Sequence, residues 1–263
     1  MEMTDTPFVV RSDVAGVSTL SMNRPGSRNA LSLGMLLALS AEMERVAADP
    51  EVRVVVLAGA GPAFCAGHDL KEMRAEHFGR AYTEKLFAEC ASVMLAMVRL
   101  PKPVIAQVHG TATAAGCQLV ASCDLAVAAD TARFATPGVN IGLFCSTPMV
   151  ALSRNVGRKA AMQMLLTGEL IEADTALRLG LINEVVPEPV LADRTGALAA
   201  KIAAKSPLTL AIGKEAFYRQ AELSLAEAYA YTAEVMVTNL AKRDAQEGIN
   251  AFIEKRAPLW RGQ

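Results

Sequence analysis

Two stretches of the chain share one design: Ala63-Phe64-Cys65-Ala66-Gly67-His68-Asp69-Leu70, and Gly110-Thr111-Ala112-Thr113-Ala114-Ala115-Gly116-Cys117-Gln118-Leu119. Each follows an apolar, β-branched run (residues 52–57 and 104–108) that reads as a buried strand. Each then bends through small side chains into a helical pattern. Small residues let a ligand come close to the backbone, and a helix N-terminus leaves its first N–H groups unpaired. Set side by side, two such turns offer donors to one developing oxyanion.

Working outward, the chain has the length and apolar content for one large core, with 263 residues of which 52% are hydrophobic. The net charge is −1 and the basic residues are dispersed, which argues against nucleic acid and against a membrane surface as partners. No uncharged apolar run is long enough to span a bilayer. The opening Met1-Glu2-Met3-Thr4-Asp5 is acidic and polar, without the basic start and apolar stretch of a signal peptide, and reads as cytoplasmic. Five cysteines, Cys65, Cys90, Cys117, Cys123 and Cys145, are an odd number without CxxC spacing. That pattern fits reduced, mostly buried thiols and gives no metal site.

Strands are expected at residues 8–11 and 16–22, then a helix capped by Ser32, then the two strand-turn-helix units. Further strands fall at residues 125–129 and 133–135, and helical patterns dominate from Thr147 onward. The fold class is α/β. Residues 1–205 form the core that carries the site and residues 206–263 a helical C-terminal region, in one continuous domain. The C-terminal helices, at residues 207–220, 223–239 and 243–255, mix Ala, Met and Leu with charges, as ordinary amphipathic packing would.

Further segments join these in order: Ser21-Met22-Asn23-Arg24-Pro25 with Asn29-Ala30-Leu31, then residues 64–73, 110–124, 134–142, Leu166-Thr167-Gly168, 176–186 and 252–258. Together they resemble the crotonase superfamily, also called the enoyl-CoA hydratase/isomerase family, over nearly the whole chain. Residues 112–124 and 134–148 are most similar to one branch of it. The resemblance implies a ClpP-like spiral of ββα units with a C-terminal trimerisation region, assembled as a homotrimer or hexamer. It implies an acyl-CoA thioester as partner, with coenzyme A as part of the substrate and no permanently bound cofactor. The N–H groups of His68 and Ala115 would hold the thioester oxygen. Backbone at Ala66, Gly67, His68, Asp69 and Leu70 would contact CoA, as would Ala30, Pro137 and Gly138. Lys71 and Arg28 are the charged candidates for the nucleotide, with Arg24 a further one. Phe252 and Lys255 match a segment that reaches the CoA of a neighbouring subunit.

Against that family the sequence departs at three points. Ala114-Ala115-Gly116 stands where many relatives have consecutive glycines, so Ala115 can donate only from near-helical backbone. Gln118 and Gly138 stand where hydrating relatives carry two glutamates, and neither can serve as general acid or base. His68 is the one histidine inside a motif, with an ordinary pKa of roughly 6.5 suited to proton transfer. The same Gly-His-Asp occurs in the family's methylmalonyl-CoA decarboxylase. Gln118 either orients water or substrate or bonds a neighbour, and Asp69 reads as a helix cap. Cys145 and Ser146 follow Gly138 and would need an adjacent base to act as nucleophiles. Phe87, Met94 and Met97 line an acyl tunnel or fill core. Three functions follow: an enoyl-CoA hydratase/isomerase-like enzyme with altered acid/base groups, a decarboxylase or thioester hydrolase on the same oxyanion hole, and a non-catalytic acyl-CoA binder.

Overall fold

The computed structural model describes residues 6–263, so the expectations for Met1–Asp5 lie outside the described residues. The chain begins with a hairpin of β1 (Val9–Val14) and β2 (Val17–Met22), closed by Ala15 and Gly16, both at positive φ. Two left-handed central residues give the turn twist that suits a two-residue hairpin. Helix α1 (Leu33–Ala48) starts at Ser32, whose side chain accepts from the Met35 N–H, and it buries Met35, Leu36, Leu39, Met43 and Val46.

Three ββα units follow. The first holds β3 (Val54–Gly59), β4 (Ala63–Cys65), α2 (Leu70–Ala75) and α3 (Arg80–Arg99). The second holds β5 (Val104–Val108), β6 (Thr111–Thr113) and α4 (Ala115–Ser122). In the third, β7 (Leu125–Ala129) and β8 (Arg133–Ala135) lead to α5 (Pro148–Asn155) and α6 (Arg158–Thr167). The long strand of each unit joins a six-stranded sheet, β1-β2-β3-β5-β7, completed by β10 (Glu184–Val186). The short strands β4, β6 and β8 run parallel in a second sheet, completed by antiparallel β9 (Ile171–Glu172). Each unit thus steps from one sheet to the other and back, which makes the spiral. Helix α7 (Ala173–Leu179) lies between β9 and β10.

Strand β3 is buried on both faces. Val55 and Leu57 join the main core with Phe64, Leu86 and Phe134, while Val54 and Val56 pack with Leu191, Ala199 and Ala203 of α8 (Leu191–Ala203). A strand covered on both sides has no polar alternation, hence the unbroken apolar run in the sequence.

Three C-terminal helices complete the chain: α9 (Pro207–Gln220), α10 (Leu225–Leu240) and α11 (Arg243–Ile253). Helix α9 is clasped to the core by Lys214. Its Nζ donates to the carbonyls of Met97 and Lys102 at 2.8 and 3.0 Å and to Asp124 Oδ2 at 2.7 Å. The Tyr218 hydroxyl donates to Asp124 Oδ1 at 2.9 Å, and Asp124 Oδ2 also accepts from the Val104 N–H at 2.7 Å. Burial pushes the Lys214 ammonium below its ordinary pKa while Asp124 opposes that shift. The last residues are held by buried Asp244, which accepts from the Ser206 hydroxyl and from the N–H groups of Arg261 and Gly262. Helix α10 buries none of its residues within one chain, and Leu225, Tyr229, Met236 and Val237 are exposed. Among the described residues no helix is long and apolar enough to cross a membrane.

Candidate active site

The parallel strands β4, β6 and β8 end together, and the three segments singled out by the sequence leave from those ends: Ala66–Lys71, Ala114–Gln118 and Thr136–Gly138. The carboxyl edge of parallel strands is where open α/β folds place their ligands. The edge is stitched by the backbone. Ala114 donates to the Ala135 carbonyl at 2.9 Å, and the Thr113 hydroxyl donates to the Ala66 carbonyl at 3.2 Å.

The first turn is braced from behind by residues 28–31. Ala66 donates to the Arg28 carbonyl at 3.0 Å, Leu31 donates to the Gly67 carbonyl at 2.8 Å, and Asp69 donates to the Leu31 carbonyl at 3.1 Å. In such a parallel bridge the central residue, His68, turns its own N–H to the opposite side. That N–H has no partner among the described residues. Gly67 sits at φ +90°, and a Cβ on it would come within 2.9 Å of Ala114 Cβ and 3.4 Å of the Ala115 nitrogen. The two turns are therefore in contact. Ala115 is the first residue of α4, and its N–H likewise has no partner among the described residues.

Ala115 itself is helical. The strained conformation falls one residue earlier, on Ala114, at φ 51° and ψ −118°. An alanine there occupies a region normally left to glycine. The Gly67 turn and the start of α4 thus lie against each other, with the backbone strain on Ala114 rather than on Ala115.

Of the Ala66–Leu70 backbone expected to contact CoA, the Ala66 N–H is spent on the Arg28 carbonyl. Asp69 caps α2, accepting from the N–H groups of Lys71 and Glu72 and pairing with Arg24 at 3.1 Å. Arg24 is thereby committed to the fold rather than free for a phosphate. Arg28 and Lys71 are exposed and make no ion pair among the described residues. Leu70 is exposed beside them, and Ala30 is buried at the bracing segment.

The His68 ring packs edge-on against Phe87 of α3, with centroids 4.9 Å apart. Burial lowers its pKa to about 4, so the imidazole is neutral at pH 7, and its Nε2 has no hydrogen-bond partner among the described residues. Gln118, one turn along α4 from Ala115, is 6% exposed, and its Oε1 has no partner among the described residues. Met94 and Met97 are buried on the inner face of α3 and belong to the core.

At the third strand end, Gly138 is walled in. A Cβ there would lie 2.6 Å from the Leu143 carbonyl oxygen and 2.9 Å from Cys145 Sγ. The Gly138 N–H donates to that sulfur at 3.3 Å. Burial raises the Cys145 pKa, partly offset by the Gly138 N–H, so the group stays a thiol. The Ser146 hydroxyl is exposed and donates to the Phe144 carbonyl at 3.3 Å. Among the described residues no histidine, lysine or carboxylate bonds either one, so neither has there the base a nucleophile requires. Pro137 opens the short 3-10 turn that carries Gly138. Phe252, 84% exposed, and Lys255 lie at the end of α11, which packs on α9 and α10.

Two residues of the site carried no role in the sequence reading. Asn29, fully buried at φ 54°, donates from Nδ2 to the carbonyls of Ala60, Ala63 and Phe64, and its Oδ1 accepts from Arg24. It fixes the strand that aims the first turn. Its signal in the sequence was the residue type in Asn29-Ala30-Leu31, since asparagine tolerates the left-handed backbone it adopts here. Thr136, also fully buried, has an Oγ1 without a partner among the described residues at the end of β8. Its segment, residues 134–142, was marked in the sequence, but Thr136 itself was given no role.

With this geometry in place, the likenesses to known proteins are informative. Residues 12–263 match the family profile described as Enoyl-CoA hydratase/isomerase. The chain is 52% identical over 255 residues to enoyl-CoA hydratase domain-containing protein 3, mitochondrial, of Xenopus laevis, covering 97% of this chain and 86% of that protein. The human protein of the same name is 50% identical over 245 residues, covering 93% and 80%. Residues 112–124 and 134–148 resemble that branch. Among solved structures, an enoyl-CoA hydratase from Mycobacterium smegmatis superposes with a TM-score of 0.94 at 57% identity, covering 97% of this chain and 99% of that one. The cytoplasmic expectation does not stand, since these curated relatives are named as mitochondrial. The polarity of five opening residues does not report on compartment. The shared spiral, the paired turns and the extent of these matches place the chain in the enoyl-CoA hydratase/isomerase family, the crotonases.

Proposed function

We propose that the protein binds an acyl-CoA thioester and polarises its carbonyl between the N–H groups of His68 and Ala115, stabilising the enolate that forms when charge reaches the thioester oxygen. The observation that carries this reading is the pair of unpaired N–H groups on touching turns at the carboxyl ends of β4 and β6. Each such donor contributes roughly 2.7–4 kcal/mol in enzymes that make oxyanions. The reaction is enoyl-CoA hydratase/isomerase-like. It does not run through two positioned carboxylates, because Gln118 does not titrate and Gly138 has no side chain. Arg28 and Lys71, both exposed, would meet the nucleotide of CoA. Copies of the chain assemble in multiples of three, with the apolar surface of α10 covered by a neighbour and with Phe252 and Lys255 offered to the neighbour's CoA.

The test is a panel of enoyl-, methylmalonyl- and saturated acyl-CoA thioesters, read by mass spectrometry, with calorimetry against each and light scattering for the assembly. Turnover of an enoyl thioester supports the reading. Release of carbon dioxide or of free CoA points to decarboxylase or hydrolase chemistry at the same donors. Absence of binding by every thioester to a folded sample overturns it.

A further inference from the structure

In a trans peptide the carbonyl and the N–H point opposite ways, so holding one aims the other. The described residues contain no cis peptide bond. The His68 N–H shares its peptide with the Gly67 carbonyl, which accepts from the Leu31 N–H at 2.8 Å. The Ala115 N–H shares its peptide with the Ala114 carbonyl, which accepts from the Gln118 N–H at 3.0 Å. Each of these donors is thus the far end of a peptide gripped at its oxygen, and such a grip also polarises the peptide toward a stronger donor. For Ala115 the grip is the first turn of α4. For His68 it is the segment 28–31, which belongs to no helix and no named strand.

What stiffens that segment is Asn29. The backbone enters it through two left-handed residues, Arg28 at φ 51° and Asn29 at φ 54°. The Asn29 side chain is fully buried, and both ends of its amide are engaged. Its Oδ1 accepts from the Arg24 N–H at 2.9 Å, and its Nδ2 donates to the carbonyls of Ala60, Ala63 and Phe64 at 2.8, 2.9 and 3.1 Å. Ala63 and Phe64 belong to β4, the strand that runs into the donor turn. Just beyond them the Ala66 N–H returns to the Arg28 carbonyl at 3.0 Å. Residues 28–29 and 64–66 therefore close a ring, and Leu31 reaches Gly67 from the edge of that ring. Glycine would serve a turn that needed only the left-handed backbone. The amide in addition ties the brace to the strand whose end the brace must aim.

We infer that Asn29 is a positioning residue for the oxyanion donor at His68, acting through the Leu31-to-Gly67 hydrogen bond without itself touching the substrate. The inference rests on the acyl-CoA reading above and adds to it the group that sets the donor's direction. Direction matters because a hydrogen bond weakens steeply as it bends, and an oxyanion donor works only when aimed at the oxygen.

The experiment is difference infrared spectroscopy of butyryl-CoA, isotope-labelled at the thioester carbonyl carbon, bound to the full-length protein and to Asn29→Gly. Glycine accepts the left-handed backbone and removes only the amide. The unmodified protein is expected to move the carbonyl band below its position in water, and Asn29→Gly to lose most of that downshift. Free CoA, which has no thioester oxygen, should bind both proteins alike in calorimetry, with circular dichroism unchanged. Asn183→Ala removes a side-chain bond to the Ala126 N–H of β7 and serves as the control for general loosening; it should keep the downshift. If Asn29→Gly fails to fold, Asn29→Ser, which puts one hydroxyl donor in place of the amide, is expected to lose part of the downshift. A full downshift in a folded Asn29 variant, or an equal loss in Asn183→Ala, overturns the inference and leaves the acyl-CoA reading intact. A thioester that binds the unmodified protein with its band unmoved, or does not bind at all, removes the oxyanion reading and the inference with it.

Discussion

The Cys65 carbonyl oxygen lies so close to Gly116 that a Cβ on the glycine would come within 2.1 Å of it. Strand β4 and helix α4 are pressed together at that point, and the pressing sets the Gly67 turn against the Ala114-Ala115 turn. Gly116→Ala is expected to force the turns apart, because the obstructing atom is backbone and cannot rotate away. Thioester binding should fall below detection in calorimetry, and the melting temperature should drop. An alanine variant that binds acyl-CoA normally would show that the donors do not depend on this contact.

Ala114 gives the opposite expectation. Its φ of 51° and ψ of −118° suit glycine, and a non-glycine in such a region costs about 1–3 kcal/mol. Ala114→Gly relieves that strain but adds up to about 1 kcal/mol of chain entropy to the unfolded state. The net expected outcome is a stabilisation of about 1 kcal/mol in urea melts. Loss of stability on this change would mean that the Ala114 methyl group, seated against Gly67, contributes more by packing than the strain costs.

The neutral His68 makes a pH prediction. Its folded pKa, about 4, lies below the ordinary 6.5, so between these values the unfolded chain binds the extra proton. The contribution is fully present above pH 6.5 and declines as pH falls toward 4, by about 3 kcal/mol at most. Melts from pH 4 to 8 should show this slope, and His68→Asn should flatten it. The same low pKa predicts no inflection near pH 6.5 in any rate profile. An inflection there that vanished in the variant would make the ring a titrating catalyst after all.

Hydration of crotonyl-CoA should respond unequally to the two glutamates that hydrating relatives carry. Gln118→Glu changes one buried group for another of equal size, and the rate should climb toward the ~10²-fold that a positioned base contributes. Adding Gly138→Glu should not double the gain. The Leu143 carbonyl stands 2.6 Å from where that side chain would begin, so the loop must open and stability must fall. Stopped-assay rates and melts of the single and double variants decide the matter; a stable double variant faster than Gln118→Glu alone would show that the loop yields easily.

The periodicity of the chain exposed the long strands and the helices, because β3, β5 and β7 are runs of apolar residues and α1 carries its Ser32 cap in plain view. Of the second sheet only β8 was legible, at residues 133–135. Strands β4 and β6 also have three residues each, too few for a period of two to declare itself, and their small residues read as part of the turns. The paired turns showed in the sequence because both follow a strand and enter a helix through small residues. Which alanine takes the strain, and where Gly138 meets Cys145 and Leu143, depend on packing between segments distant in sequence. Thr136 escaped notice for the same reason: a threonine after a strand is unremarked until its burial is known.

The Lys214 clasp bears on how the chain is made. Asp124 is synthesised 90 residues before Lys214, the only cation that bonds its carboxylate among the described residues. At ~5–20 residues per second that interval is ~5–20 s. Throughout it, burying the Asp124 carboxylate would leave a charge without its counter-ion, which is strongly unfavourable. The nascent spiral must therefore keep the start of β5 and the start of β7 wet, with the Val104 N–H bond to Asp124 still facing solvent. Sealing waits for α9. The clasp is closed by the part of the polypeptide that leaves the ribosome late, so a chain released before residue 214 lacks the counter-ion that covers Asp124 at the start of β7.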